Sequence, residues 1–221
     1  MTRRRAGIFV VLEGLDGAGT TTQAQRLAAW LRGHGRRVHV TAEPSAGPAG
    51  ALARLVLSRR VSGPGGFDPA ALALLFAADR LDHVAAEIAP RLAEGIDVVC
   101  DRFTLSSLAY QSLTTGDAAW VETVNARARA PDATVFLRVS PGVAVRRRFA
   151  ASSAREIYEV PAFQREVARS YERALERLRE RGQRVAVVDG ERPVEEVTAA
   201  IGAAVADLLP AQGGARRRRP G

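Results

Sequence analysis

One stretch, FVVLEGLDGAGTTTQ over residues 9–23, constrains the fold more than any other. An apolar run of strand type ends at Glu13 and meets Gly14, Gly17 and Gly19. An amphipathic stretch over residues 21–32 follows, with Ala24, Leu27, Ala28 and Leu31 on one face and Gly33 and Gly35 beyond its end. Buried strand, glycine-rich turn and helix, in that order, make the context a phosphate-binding loop requires. Gly14 and Gly19 hold the GxxxxG spacing. Glycines let backbone N–H groups converge on phosphate oxygens, and a helix N-terminus adds partial positive charge.

Thr21 stands where the Mg²⁺-binding hydroxyl of such a loop belongs. Position 20, where the loop lysine belongs, is Thr20. A hydroxyl can donate one hydrogen bond to a phosphate but brings no charge, and losing one preorganised donor typically costs about 10²–10³ in rate. The chain contains no lysine anywhere. A compositional bias of that kind predicts Arg in place of Lys, so it does not account for Thr20.

Further along, apolar runs at 8–12, 37–41, 96–100, 133–139 and 184–188 have strand length and are rich in Val and Ile. Helical patterns occupy 21–32, 69–92, 160–181 and 193–209. Strands buried on both faces and separated by helices indicate an α/β fold with a parallel sheet. The Gly/Pro-rich stretch 62–69 reads as a loop, and the chain from 211 to 221 as a disordered tail. With 221 residues and no internal repeat, one domain over 1–210 is expected.

The formal charge is +8, of which Arg3, Arg4, Arg5 and the four arginines at 216–219 supply nearly all. The body is therefore close to neutral, whereas a nucleic-acid binder should carry a basic face on the fold itself. Weak, sequence-independent contacts by the tails are the most that nucleic acid is expected to make. No apolar run approaches the ~18 residues of a membrane span. The opening MTRRRAGIFVV resembles a secretory signal until its apolar run enters the glycine loop, so it reads as a first strand of a cytoplasmic protein. Cys100 is the only cysteine, which excludes an internal disulfide, and His34, His39 and His83 have no zinc-ligand spacing.

Four more segments carry chemistry. LLFAADRLDH places Phe76 and Arg80 four apart on one helix face, an aromatic that could stack on a base and a guanidinium that could bond its carbonyl. By itself the pair reads more readily as a core Phe beside a surface Arg. VVCDRF places Asp101 and Arg102 at the C-terminal end of a strand, the edge where parallel sheets bind ligands. Ser107, Tyr110 and Gln111 follow on a loop or first helical turn. Arg146, Arg147, Arg148 and Arg155 cluster around a small-residue stretch that could form a mobile lid, although such a cluster is also the mark of a solvated helix face.

Together with TAEPSAGPAG, PDATVFLRVSP and VDGERPVEEV, these segments resemble the thymidylate kinase family, in the family's order and over roughly residues 8–200. The resemblance implies a P-loop kinase fold with a five-stranded parallel sheet flanked by helices, a lid at about 148–158 and a homodimer. It implies transfer of the γ-phosphoryl group of ATP to dTMP with Mg²⁺, for dTTP synthesis. Carried over by residue, Gly14, Leu15, Asp16, Gly17, Ala18, Gly19, Thr20, Thr21 and Thr22 would wrap the ATP phosphates. Asp16, Glu43, Phe76, Arg80, Arg102, Ser107, Tyr110 and Gln111 would hold dTMP, with Phe76 on the thymine ring and Tyr110 crowding the sugar 2′-position. Thr21, Asp101 and Asp16 would serve the metal, and Asp16, Arg102, Arg155 and Arg148 the transfer itself.

The chain departs from the family pattern at several positions. Thr20 replaces the lysine, Ala42 stands where Arg is common before Glu43, and Phe103 replaces a Tyr. Arg138 stands where Asp is frequent; being at a strand end, it is a candidate to supply the charge that Thr20 lacks. Three other readings fit the residues: a nucleotide-binding protein of this fold with weak or no kinase activity, a kinase for a different nucleoside monophosphate, and a nucleic-acid-associated protein using its tails.

Overall fold

The computed structural model describes residues 6–61, 66–151 and 161–209. Among them, β1 (Phe9–Gly14), β2 (Val38–Ala42), β3 (Asp97–Asp101), β4 (Ala133–Arg138) and β5 (Val185–Asp189) form one parallel sheet in the order β2-β3-β1-β4-β5. The α/β reading of the sequence is borne out. Strand β1 is buried along its whole length, and its side chains divide by parity. Val10 and Leu12 enter one apolar cluster with helix residues such as Leu27 and Tyr171, whereas Phe9 and Val11 enter another with Ile88, Leu92 and Phe103. Alternate residues of a strand face opposite sides, so both faces of the sheet are covered.

The helices are α1 (Thr20–Gly33), α2 (Pro48–Leu57), α3 (Pro69–His83), α4 (Ala89–Ala93), α5 (Thr104–Thr115), α6 (Ala118–Asn125), α7 (Pro141–Ala151), α8 (Pro161–Glu180) and α9 (Val194–Val205). Helices α2 and α6 lie where the sequence patterns gave none, and α5 and α7 where they gave only a loop or first turn and a lid or solvated helix face. The Ser/Thr-rich α5 owes its helicity to burial: Leu105, Ser107, Leu108, Ala109, Tyr110 and Gln111 are all inside. Propensity is a weak prior that such tertiary packing overrides. The single helix expected over 69–92 is real in extent but changes type. A π-helical turn, Val84–Ile88, separates α3 from α4. Pro90 follows that turn, and a proline lacks the N–H that an unbroken α-ladder would use.

Chain direction matters for the site. Strands β2 and β3 lie on one side of β1, and β4 and β5 on the other. In sheets of this type, the crevice outside the C-terminal strand ends, where strand order changes direction, is where ligands bind.

Candidate active site

A cavity of about 680 Å³ opens at that edge. Its floor is the loop after β1, and Asp16 to Thr22 line it continuously. Gly14 and Leu15 lie behind: Leu15 is in the core, and the Gly14 carbonyl accepts a hydrogen bond from the Tyr171 hydroxyl at 3.0 Å. Gly17 and Gly19 have φ of 91° and 92°, a region that favours glycine. At Gly17 there is also no room, since a Cβ would come within 2.1 Å of the Ala144 carbonyl oxygen. Helix α7 therefore rests directly on the loop, and its Arg147 and Arg148 reach the cavity. Gly19 caps α1 without any side-chain hydrogen bond, and the first turn carries no acid. The free N–H groups and the helix dipole there form an anion site.

Thr20 is buried in the cavity wall. The Thr21 hydroxyl donates to Asp101 Oδ2 at 2.5 Å, while Asp101 Oδ1 is buried with no partner among the described residues. No cluster of three or more His, Cys, Asp or Glu side chains suited to a metal occurs among the described residues. A hydroxyl beside one carboxylate with a free oxygen fits Mg²⁺, which keeps several waters and takes few protein ligands.

Opposite the loop stands Arg102, at the C-terminal end of β3. Its φ of 70° is unusual for a side chain with a Cβ and costs about 1–3 kcal/mol. The surroundings over-determine it. The backbone N–H donates to Leu12 O at 2.8 Å, and the guanidinium pairs with Asp16 and donates to Ser106 and Tyr171. Asp16 also accepts from the Tyr110 hydroxyl at 3.0 Å. Asp16 is thus the link between the glycine loop and Arg102. Burial opposes the Arg102 charge more than any one group supports it, but Asp16, Tyr171, Tyr110 and Asp101 together outweigh burial and hold the guanidinium ionised.

Beneath Arg102 lies a group that sequence reasoning missed. Glu13 is fully buried and accepts hydrogen bonds from the Phe103 N–H (2.9 Å), the Ser106 N–H (3.1 Å) and the Ser106 hydroxyl (2.5 Å). Burial pushes its pKa up to about 7, against the pull of Ser106 and Arg102. Tyr171, also missed, closes the network, accepting from Arg102 and donating to Gly14. Glu13 did carry a signal, as the last polar residue before the loop on the ligand edge; Tyr171 reads as an ordinary core aromatic.

Arg80 is the other guanidinium on this wall and is almost wholly buried. It pairs with Glu43 at 2.7 Å, donates to Asn125, to Phe103 O (3.1 Å) and to Ser107 Oγ (3.1 Å), and lies over the Phe103 ring. Its Nε has no partner among the described residues. Phe76, Ser107, Tyr110, Gln111 and Glu43 line the same cavity.

Arg54 and Arg192, which sequence reading passed over, also line the cavity. Arg138 is not among the lining residues; it forms a two-pronged pair with Glu172 on α8, at 2.9 and 2.7 Å, and both side chains are half exposed. Arg155 and most of the expected lid lie outside the described residues, as do the arginine-rich tails. Cys100 is buried, and its thiol pKa is pushed up by desolvation, as an inert structural cysteine requires.

A glycine loop opening a helix, with a hydroxyl–carboxylate pair beside it and fixed arginines opposite, defines a P-loop phosphotransferase. The family model described as thymidylate kinase matches residues 12–201. The chain is 40% identical to a thymidylate kinase of Leifsonia xyli, over 89% of this chain and 93% of that one. It is 38% identical to a thymidylate kinase of Geobacter sulfurreducens (92% and 96% covered) and 38% identical to a probable thymidylate kinase of Pyrococcus abyssi (86% and 92% covered). The chain belongs to the thymidylate kinase family, phosphotransferases that use ATP to phosphorylate dTMP in dTTP synthesis. None of its described helices is long and apolar enough to cross a membrane.

Proposed function

We propose that this chain transfers the γ-phosphoryl group of ATP to dTMP in a Mg²⁺-dependent reaction in the cytoplasm. The observation that carries the reading is the Arg102–Asp16 pair, which ties the acceptor-side arginine to the loop that would hold the donor. Phosphoryl transfer needs positioning and charge neutralisation rather than covalent chemistry, and a pair of this kind supplies both. The residues at 14–22 would hold the ATP phosphates through backbone N–H groups. Thr21 and Asp101 would hold Mg²⁺, which when bound neutralises phosphate charge. Arg102 would grip the acceptor phosphate, and its planar fork suits two oxygens at once.

Phe76 would stack on thymine, with Gln111 beside it. Arg80 would bond the 4-carbonyl, the group that cytosine replaces by an amine, and its unpartnered Nε–H supports that role. Ser107 and Glu43 would act by holding Arg80. Tyr110, fixed on Asp16, would close the sugar pocket. Arg148 and Arg155 would neutralise charge in transit from the lid. A homodimer is supported by an exposed apolar stripe on α3 and the turn after it: Leu74, Ala78, Leu81 and Ala85 recur at helical spacing. Wild-type elution of Leu81→Glu in size-exclusion chromatography would count against that surface.

The reading is tested by coupled ADP release with Mg·ATP, with and without dTMP, on the wild type and Thr20→Lys. Release that depends on dTMP in the wild type supports it and shows that another group covers the missing lysine. Thr20 also favours a second reading, a nucleotide-binding protein with little turnover. Nucleotide binding without release in the wild type, with activity appearing only in Thr20→Lys, would establish that one.

A further inference from the structure

Behind Arg80 lies a buried polar chain that the phosphoryl-transfer machinery does not use. His83, in the last turn of α3, has a fully buried side chain. Its Nδ1 is 3.3 Å from Glu43 Oε1, and its Nε2 is 2.8 Å from Thr41 Oγ1 on β2. Glu43 Oε2 in turn is 2.7 Å from Arg80 Nη2. Outward, Glu87 lies 3.8 Å from His83 Nε2 and 2.6 Å from His39, where the chain reaches half-exposed side chains. A carboxylate can only accept, so His83 Nδ1 carries the proton toward Glu43, and Nε2 meets the Thr41 hydroxyl.

We propose that His83 is a positioning residue for base recognition: its Nδ1–H fixes the Glu43 carboxylate, and Glu43 fixes the face that Arg80 presents to the base carbonyl. Three observations carry it together. The three side chains are in series within hydrogen-bond or ion-pair distance. All three are buried, so solvent cannot substitute for a lost contact. The residue after His83 begins the π-helical turn Val84–Ile88, a distortion that recurs at functional sites. The inference rests on the reading of Arg80 as the group that binds the thymine 4-carbonyl.

The test is the ratio of Kd for dCMP to Kd for dTMP, measured by calorimetry without turnover, on the wild type, His83→Asn and His83→Gln. An Asn amide nitrogen overlays Nδ1 of the ring and keeps the bond to Glu43. A Gln amide nitrogen overlays Nε2 and loses it. His83→Asn should keep the wild-type ratio, and His83→Gln should lower it about tenfold, with Kd for ATP unchanged in both. Equal ratios in the two variants, or equal losses of dTMP and ATP binding, would overturn the inference and leave His83 a packing residue. A wild type that binds dCMP as well as dTMP would instead overturn the reading of Arg80. Should neither variant fold, Thr41→Val removes the support of Nε2 at nearly constant volume. A lowered ratio there supports the chain, and an unchanged one counts against it.

Discussion

The two walls of the cavity are built by opposite means. The glycine-loop wall is backbone: an uncapped helix N-terminus, two glycines of positive φ and a helix resting on one of them. The Arg102–Arg80 wall is side chain: one partly buried and one fully buried charge, each held by partners distant in sequence. A backbone cradle keeps its shape when a side chain changes, which is why Thr20 can replace a lysine without disturbing the loop. A buried network has no such tolerance, because truncating one member strands another.

The largest effect should come from the side-chain wall. Arg102→Met should lower kcat/KM for dTMP about a thousandfold. A loss under tenfold in steady-state kinetics would mean that the wall is scaffolding.

Two substitutions in the backbone wall separate space from strain. Gly17→Ala meets both the Ala144 carbonyl and a positive φ, and should cost about 3 kcal/mol of stability. Gly19→Ala meets only the φ, with nothing within 4 Å, and should cost about 1 kcal/mol. Urea unfolding distinguishes them, and equal losses would deny that α7 bears on the loop.

Glu13 sharpens the comparison through pH. Its carboxyl keeps its proton to about pH 7 in the fold but loses it near 4.5 when unfolded. The native state therefore binds more protons in that window, and the stability contributed by the protonated group falls as pH rises through about 7. Compared with Glu13→Gln, the wild type should lose up to about 3 kcal/mol between pH 4 and pH 8. Parallel stability curves for the two proteins would show that the site is wetter than its burial implies.

The smallest effect belongs to Arg138. Its exposed pair with Glu172 is worth under about 1 kcal/mol. Arg138→Ala should leave ATP turnover unchanged, because Arg138 lies outside the cavity wall. A drop in turnover would restore it as the lysine's substitute.

The same division governs what could be read from the sequence. The sheet and the glycine loop were legible because their requirements are local: a run such as FVVLE must be buried, and the glycines must adopt positive φ. Helix α5 was not, since TLSSLAYQSLTT is a poor helix former that folds by packing on its surroundings. Glu13 and Tyr171 escaped for the same reason at longer range, as Tyr171 meets Gly14 across 157 residues of chain. Arg80, Ser107 and Glu43 were legible as a set, and all three line the cavity, but the contacts of Ser107 and Glu43 with Arg80 were not, because they join residues far apart in the chain.

Among the described residues, every cation on the cavity wall is a guanidinium, supplied by Arg54, Arg80, Arg102, Arg147, Arg148 and Arg192. Guanidinium groups stay charged far above neutral pH and resist acylation. A cell that tunes phosphate-binding proteins by acetylating lysines has no side chain to act on here. The grip on phosphate proposed for this cavity would therefore be set by translation, not by acyl donors, and amine-directed labels should leave it intact while arginine-directed dicarbonyls silence it.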